Sequence, residues 1–242
     1  MTITKNINLH NYRIDESFAE FYGVLIGDGC ISKYLNQRNL QYEIRIDGNS
    51  ITDLDYYNTF LLNLIYKATC VFPKVRFRND CNGIYIKFRS KSLAFFLNTE
   101  LQFPFGKKNE NQLLISKKIL NDASLLRKTL RGLFDTDGSL YFTRNDFNKI
   151  RRYPILEIST HNPLLLSQLK EILDSMEFIT KIRHYEDAIK LHGKKNLLRW
   201  FEFIGSDHPD KNSKFLFWRK FGYCPKIDEL DYSHRIKALS GP

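Results

Sequence analysis

The chain has 242 residues, 43% of them hydrophobic and 26% charged, with a formal net charge of +10. That length and apolar content allow one large domain or two small ones around a packed core, and they exclude a disordered chain. The basic excess points to a polyanionic partner, nucleic acid ahead of an acidic membrane surface, because each neutralised phosphate releases bound counterions. No apolar run approaches the ~20 residues of a membrane span, and Met1 to His10 has the character of neither a secretory signal nor a transit peptide. An intracellular protein, cytoplasmic or organellar, is expected. Cys30, Cys70, Cys81 and Cys224 are scattered without a C-x-x-C pair, which suggests reduced thiols. The six histidines show no paired spacing, so any metal is expected to be held by oxygen.

The first predicted element is a helix that begins at Asp15 or Ser17 and stops at Gly29, carrying FYGVLIGDG from Phe21 to Gly29. YEIRIDGN (Tyr42 to Asn49) is strand-like, and Tyr57, Phe60, Leu61, Leu64 and Ile65 then recur at helical spacing. PKVRFR (Pro73 to Arg78) and IYIKFR (Ile84 to Arg89) alternate as a hairpin. A short helix follows around Leu93 to Leu97, and after it a lysine-bearing loop from Gly106 to Leu114.

The order then starts again. LRGLFDTDG (Leu130 to Gly138) ends a helix capped at Asp122 or Ser124 and repeats the first motif at an offset of 109 residues (137 − 28). ILEISTHN (Ile155 to Asn162) leads into a helix opened by Pro163, with Leu165, Leu169, Ile172 and Met176 on one face. TKIRHY (Thr180 to Tyr185) and AIKLH (Ala188 to His192) form a second hairpin, followed by a short helix (Leu197 to Phe203) and a second lysine-bearing loop (Gly205 to Leu216). The chain therefore reads as α+β, two pseudo-symmetric α-β-β-α-β-β-α units at 1–120 and 121–225. A polar tail at 226–242 is expected to be poorly ordered.

Asp28 and Asp137 each end a motif helix, where the helix dipole disfavours a bare carboxylate. Gly23 and Gly27, like Gly132 and Thr136, are four apart and give each helix a face of small residues that permits close backbone contact. Packing those faces together would bring Asp28 and Asp137 to one end. Two carboxylates that close need a proton or a hard divalent cation, for which Mg²⁺ is the natural match and Mn²⁺ or Ca²⁺ can occupy the same positions. A D-G at a helix end is usually only a turn; its recurrence with a matched sequel argues for a site. Asp135 is the weaker acid by this reasoning, since its counterpart is Ile26.

FYGVLIGDG and LRGLFDTDG resemble the two signature motifs of single-chain LAGLIDADG homing endonucleases, and the order of elements resembles theirs over nearly the whole chain. The resemblance implies paired motif helices at the interface of two halves and two antiparallel sheets forming a saddle on DNA. It implies a monomer that performs intron homing by cutting both strands of a long pseudo-palindromic target, across the minor groove, with divalent metal. It places the metal-binding acids at Asp28 and Asp137 and the preceding carbonyls at Gly27 and Thr136. It also places basic residues near the scissile phosphates at Lys108 (or Lys107) and Lys211. Ile26 and Tyr22 depart from the usual pattern in the first copy. Asn49 and His161 are matched candidates for ordering water.

Alternation in the hairpins puts Lys74, Arg76, Arg78, Lys87 and Arg89 on one face, opposite Val75, Phe77, Ile84, Ile86 and Phe88. Lys181, Arg183, Tyr185, Lys190 and His192 repeat the pattern. Such ribbons fit the major groove of double-stranded DNA, and the loops Asn145 to Arg152 and Lys194 to Asn196 would touch phosphate. The rival reading is an intron-splicing maturase, with intron RNA as partner, or a non-cleaving DNA-binding protein of the same fold.

Overall fold

The computed structural model describes residues 12–108, 112–145, 148–226 and 230–240. Residues 1–11 of the first unit, 109–111 of its lysine-bearing loop, 146–147 of the 145–152 loop, and 227–229 and 241–242 of the tail lie outside the described residues. Helix α1 (Glu16–Gly27) is capped by Asp15, whose carboxylate accepts from the amide of Phe18 at 2.8 Å. Strands β1 (Gly29–Asn36) and β2 (Asn39–Asn49) follow at once. Helix α2 (Leu54–Tyr56) then passes through a π-helical turn (Tyr57–Leu61) into α3 (Leu62–Thr69). Next come β3 (Val75–Phe77), β4 (Gly83–Arg89), α4 (Lys91–Leu101) and the short α5 (Lys117–Leu120).

The second run repeats the first. Helix α6 (Ala123–Asp137), capped by Asp122, leads to β5 (Gly138–Asn145), β6 (Asn148–Ser159), α7 (Pro163–Ser175), β7 (Thr180–Ile182), β8 (Ala188–His192) and α8 (Gly193–Phe203). Helices α9 (Pro209–Phe221) and α10 (Tyr232–Ser240) complete the described chain. Two expectations are corrected here. The stretch from Gly205 to Leu216 is helical from Pro209, because proline suits a first helical turn. The polar tail is also ordered over α10, where Arg235 is fully buried and its guanidinium engages Ser213 and Asp210 of α9.

Among the described residues the strands form two antiparallel four-stranded sheets, ordered β1-β2-β4-β3 and β5-β6-β8-β7. Register fixes which side chains share a face, since directly paired residues point the same way. Ile44 pairs with Ile31 and Phe88, and Ile46 with Ile86, so these form the inner face of the first sheet. Leu156 pairs with Leu140 and Leu191, and Ile158 with Ile189, on the inner face of the second. Phe77 shares the inner parity yet is 59% exposed, because β3 is a three-residue edge strand that runs out past the cover of the core. No helix of the described residues is long and apolar enough to cross a membrane.

What joins the halves is the seam between α1 and α6. A Cβ built on Gly23 would sit 2.0 Å from the Thr129 carbonyl oxygen, and one on Gly132 would sit 2.1 Å from the Glu20 carbonyl oxygen. Gly23 and Gly132, like Glu20 and Thr129, are separated by the same 109 residues (132 − 23 and 129 − 20), so the two contacts are mirror images under the repeat. Thr129 adds a hydroxyl bond to the Ala19 carbonyl at 3.0 Å, and Ser124 reaches Glu16 at 2.6 Å near the N-terminal ends. At the other end a Cβ on Gly27 would meet the Thr136 hydroxyl at 2.0 Å. The helices therefore run side by side along their length and finish together.

Because backbone rather than a flexible side chain blocks the added methyl, Gly132→Ala should push the helices apart and lower unfolding stability by about 1–3 kcal/mol. Chemical denaturation measures this; an unchanged midpoint would mean that the seam is looser than described.

Candidate active site

Asp28 is the C-cap of α1 and Asp137 is the last residue of α6. Among the described residues neither carboxylate accepts a hydrogen bond. Burial, then the charge of Asp137 and, less strongly, of Asp53, raise the pKa of Asp28 to about 7, against the lowering influence of Lys108 and Lys211. Asp137 is also raised, by burial, with Lys108, Lys211 and His161 opposing. Desolvated acids without donors at the negative ends of two helices are poor anions and good cation ligands.

Two pockets meet these acids, and each draws on both halves. One, of about 500 Å³, is lined by Asp28 together with Thr136 and Lys211 of the second half. The other, of about 280 Å³, is lined by Asp137 and His161 together with Gly27 and Lys108 of the first. Each acid thus shares its pocket with the opposite motif's preceding residue. A hard divalent cation fits this set, since carboxylate and carbonyl oxygens are its preferred donors.

Lys108 and Lys211 sit under the motif helices in corresponding places. The ammonium of Lys108 donates to the carbonyls of Leu25 (3.3 Å), Ile26 (2.7 Å) and Gly27. That of Lys211 donates to Phe134 (2.6 Å) and Asp135 (2.8 Å), the counterparts of Leu25 and Ile26. These cations satisfy carbonyls that a helix end leaves open and offset its dipole. Burial lowers both lysines, Lys211 to about 8. Between the two adjacent candidates, Lys108 lines the Asp137 pocket whereas Lys107 is exposed.

The walls differ. By strand register Ile46 corresponds to Ile158, each facing the glycine that follows its motif acid. Asp47, Gly48 and Asn49 in the larger pocket therefore correspond to Ser159, Thr160 and His161 in the smaller one. The larger pocket also receives Asp53, His208, Asp210 and Lys214. His208 is buried, stacks on Tyr56 with centroids 5.1 Å apart, and brings Nε2 to 3.5 Å from Asp53. Sequence reading missed these residues; Asp47 was within reach, inside the strand-like segment beside Asn49. Asp135 lines neither pocket. Its carboxylate accepts from Ser206 Oγ and from the Asp207 amide at 2.8 Å, which ties down the loop entering α9.

The outward sheet faces carry the expected cations, but acids sit among them. Arg45 and Arg78 converge on Asp47 at 2.8 and 2.7 Å, while Lys87 and Arg89 flank Glu43 at 3.7 and 3.9 Å. In the second sheet Glu157 holds Arg183 at 3.1 Å and Lys190 at 3.4 Å, and Arg183 also pairs with Asp187. Lys74, Arg76 and Lys181 are exposed. Asn196, expected to touch phosphate, is buried and bonds the backbone of Ile179 and His192, so it is corrected to a structural residue.

Two helix ends that share carboxylates, carbonyls and lysines across a pseudo-twofold seam define a two-motif protein with a paired oxygen-ligand site. Residues 124–205 match the LAGLIDADG-like domain family, and the chain has the fold of single-chain LAGLIDADG homing endonucleases. One similar structure is I-DmoI in complex with DNA and Mn (TM-score 0.56, 16% identity, 80% of this chain and 98% of that one). Others are the meganuclease I-AabMI bound to uncleaved DNA (0.51, 12%, 93% and 98%) and I-SmaMI bound to uncleavable DNA (0.56, 10%, 93% and 97%). An uncharacterized protein of Methanocaldococcus jannaschii is 25% identical over 163 residues, 66% of this chain and 55% of that protein. The match thus spans about half the length of that relative.

The raised pKa of Asp28 has a sign that can be tested. In the metal-free protein the folded state holds a proton that the unfolded state releases near pH 3.8, so folding stability falls as pH rises from about 4 to 7. A folded-state pKa that lies one pH unit above the unfolded value corresponds to about 1.4 kcal/mol. Asp28→Asn should therefore stabilise the metal-free protein at about pH 7.5 and lose that advantage by about pH 4. Denaturation at both pH values measures it, and an equal effect at the two would count against a desolvated acid.

Proposed function

We propose that this protein is a divalent-metal-dependent endonuclease that cuts both strands of double-stranded DNA at a long, pseudo-palindromic target, acting as a monomer. The observation that carries the reading is the pair of desolvated, donor-free carboxylates, each facing a pocket completed by the other half. Asp28 with the Thr136 carbonyl, and Asp137 with the Gly27 carbonyl, would hold the ions. When bound, Mg²⁺, or Mn²⁺ or Ca²⁺ in its place, would supply Lewis-acid activation of water and neutralise charge at the scissile phosphate.

The remaining work falls to the chain's own residues. Lys211 and Lys108 place positive charge beside the pockets, where it offsets the charge that develops on phosphate during attack. Asn49, the last residue of β2, and His161, just after β6, hold matching positions by register and would order water. On the outward faces Lys74, Arg76, Arg78, Lys87, Arg89, Lys181, Arg183 and Lys190 would meet the major groove. Glu43, Asp47 and Glu157 hold several of them in defined directions before contact, and a carboxylate can itself accept from the cytosine amino group. The two faces differ in their exposed residues, so an imperfectly palindromic site is expected.

DNA carrying the intronless junction of the gene that flanks this coding sequence, incubated with protein and Mg²⁺, tests the reading. Asp28→Asn or Asp137→Asn should abolish double-strand cleavage while gel-shift affinity stays within a few-fold. Undiminished cleavage by either variant would sink the shared-site mechanism. Binding without cleavage by the unaltered protein, together with promotion of intron splicing, would favour the maturase.

A further inference from the structure

Beneath the paired pockets, in the heart of the helix seam, lies a second group of acids that the endonuclease reading does not use. Glu20 of α1, Asp135 of α6 and Asp207 of the loop before α9 bring one carboxylate oxygen each to within 4.8 Å of the others. Glu20 and Asp135 are 2% and 3% exposed. Lys128 takes one oxygen of Glu20 at 3.0 Å and Arg131 takes one of Asp207 at 3.0 Å. Asp135 has neutral donors, Ser206 Oγ and the Asp207 amide. The second oxygen of Glu20, Oε1, is buried and has no hydrogen-bond partner among the described residues.

An independent observation comes from α2. Tyr56 is 1% exposed and its hydroxyl, too, is without a hydrogen-bond partner among the described residues. Yet it feels the charges of Asp135, Glu20 and Asp207, in that order after burial, and they hold its pKa well above the usual phenol value. Its ring stacks on His208, the residue next to Asp207, and its hydroxyl bonds none of the three carboxylates. Burying two such groups unpaired costs about 1–3 kcal/mol each, and a ligand seated between them would satisfy both. Burial first, and then a hydrogen bond shared with Asp207, hold Glu20 up at about 7 against the opposing charge of Lys128.

We propose that Glu20, Asp135 and Asp207, with the Tyr56 hydroxyl, form a structural site for a hard divalent cation of the size of Ca²⁺, separate from the pair at Asp28 and Asp137. Carboxylate and hydroxyl oxygens are the donor class such an ion takes, and its flexible shell of about six to eight oxygens accepts an irregular donor set more readily than the strict octahedron of Mg²⁺. A cation there would pin α1, α6 and the loop that delivers His208 and Lys211, and so stiffen the floor of the larger pocket.

The test needs no DNA. In the full-length Asp28→Asn/Asp137→Asn protein, calorimetric titration with CaCl2 should show one ion bound per chain, and Ca²⁺ should raise the Tm. Adding Glu20→Gln should weaken Ca²⁺ binding at least tenfold with circular dichroism unchanged. Tyr56→Phe, which keeps the ring and removes one oxygen, should weaken it severalfold and decides the matter should Glu20→Gln fail to fold. No heat and no Tm shift in the double variant would overturn the proposal and leave the cluster sharing a proton. Binding that neither substitution alters would also overturn it.

Discussion

The distance between two helices governs this molecule. At Gly23 and Gly132 the backbones of α1 and α6 come so near that there is no room for a single methyl group, and the two contacts are reciprocal under the repeat. Everything of chemical interest follows from that closeness. Helices in such contact must end near each other, and at these ends stand Asp28 and Asp137. A larger residue at either glycine would separate the two acids as surely as it would loosen the core.

Electrostatics at the seam is arranged against the acids and then balanced around them. Two helix C-termini direct carbonyls toward one region, and two carboxylates are added there with no hydrogen-bond donors of their own among the described residues. Lys108 and Lys211 answer the carbonyls and only partly offset the burial that raises both acids. The balance is similar in both halves because the same parts recur, but the pockets are unequal because their walls come from segments free to diverge. Asp47, Asp53 and His208 make the larger pocket more acidic and more polar than the one beside His161, so equivalence under the repeat does not extend to chemical identity.

Much of this was legible in the chain. The motifs at Phe21 to Gly29 and Leu130 to Gly138, with their matched sequels, gave the doubled layout, the small-residue faces and the paired acids, because helix periodicity and helix stops are local properties. The readings that failed involved cover by distant segments. Phe77 has the inner parity but no neighbour to bury it. Asn196 looked like a solvated loop residue and instead bonds the Ile179 backbone, and the polar tail acquired a helix through the burial of Arg235 against α9. Asp135 was set aside because Ile26 faces it in the repeat; the structure gives it a loop to hold.

By itself, then, the sequence determined the repeated elements as far as α8 and the matched helix-end positions of Asp28 and Asp137, since these depend on spacing within a few residues. Only the tertiary structure decided how the site is shared. That Asp28 lies with Thr136 and Lys211, and Asp137 with Gly27 and Lys108, depends on which faces of two helices meet. It also decided that Glu20, Asp135 and Asp207 converge from three separate segments. Such pairings join residues far apart along the chain, and no local pattern encodes them, because they are set by close packing of the whole core.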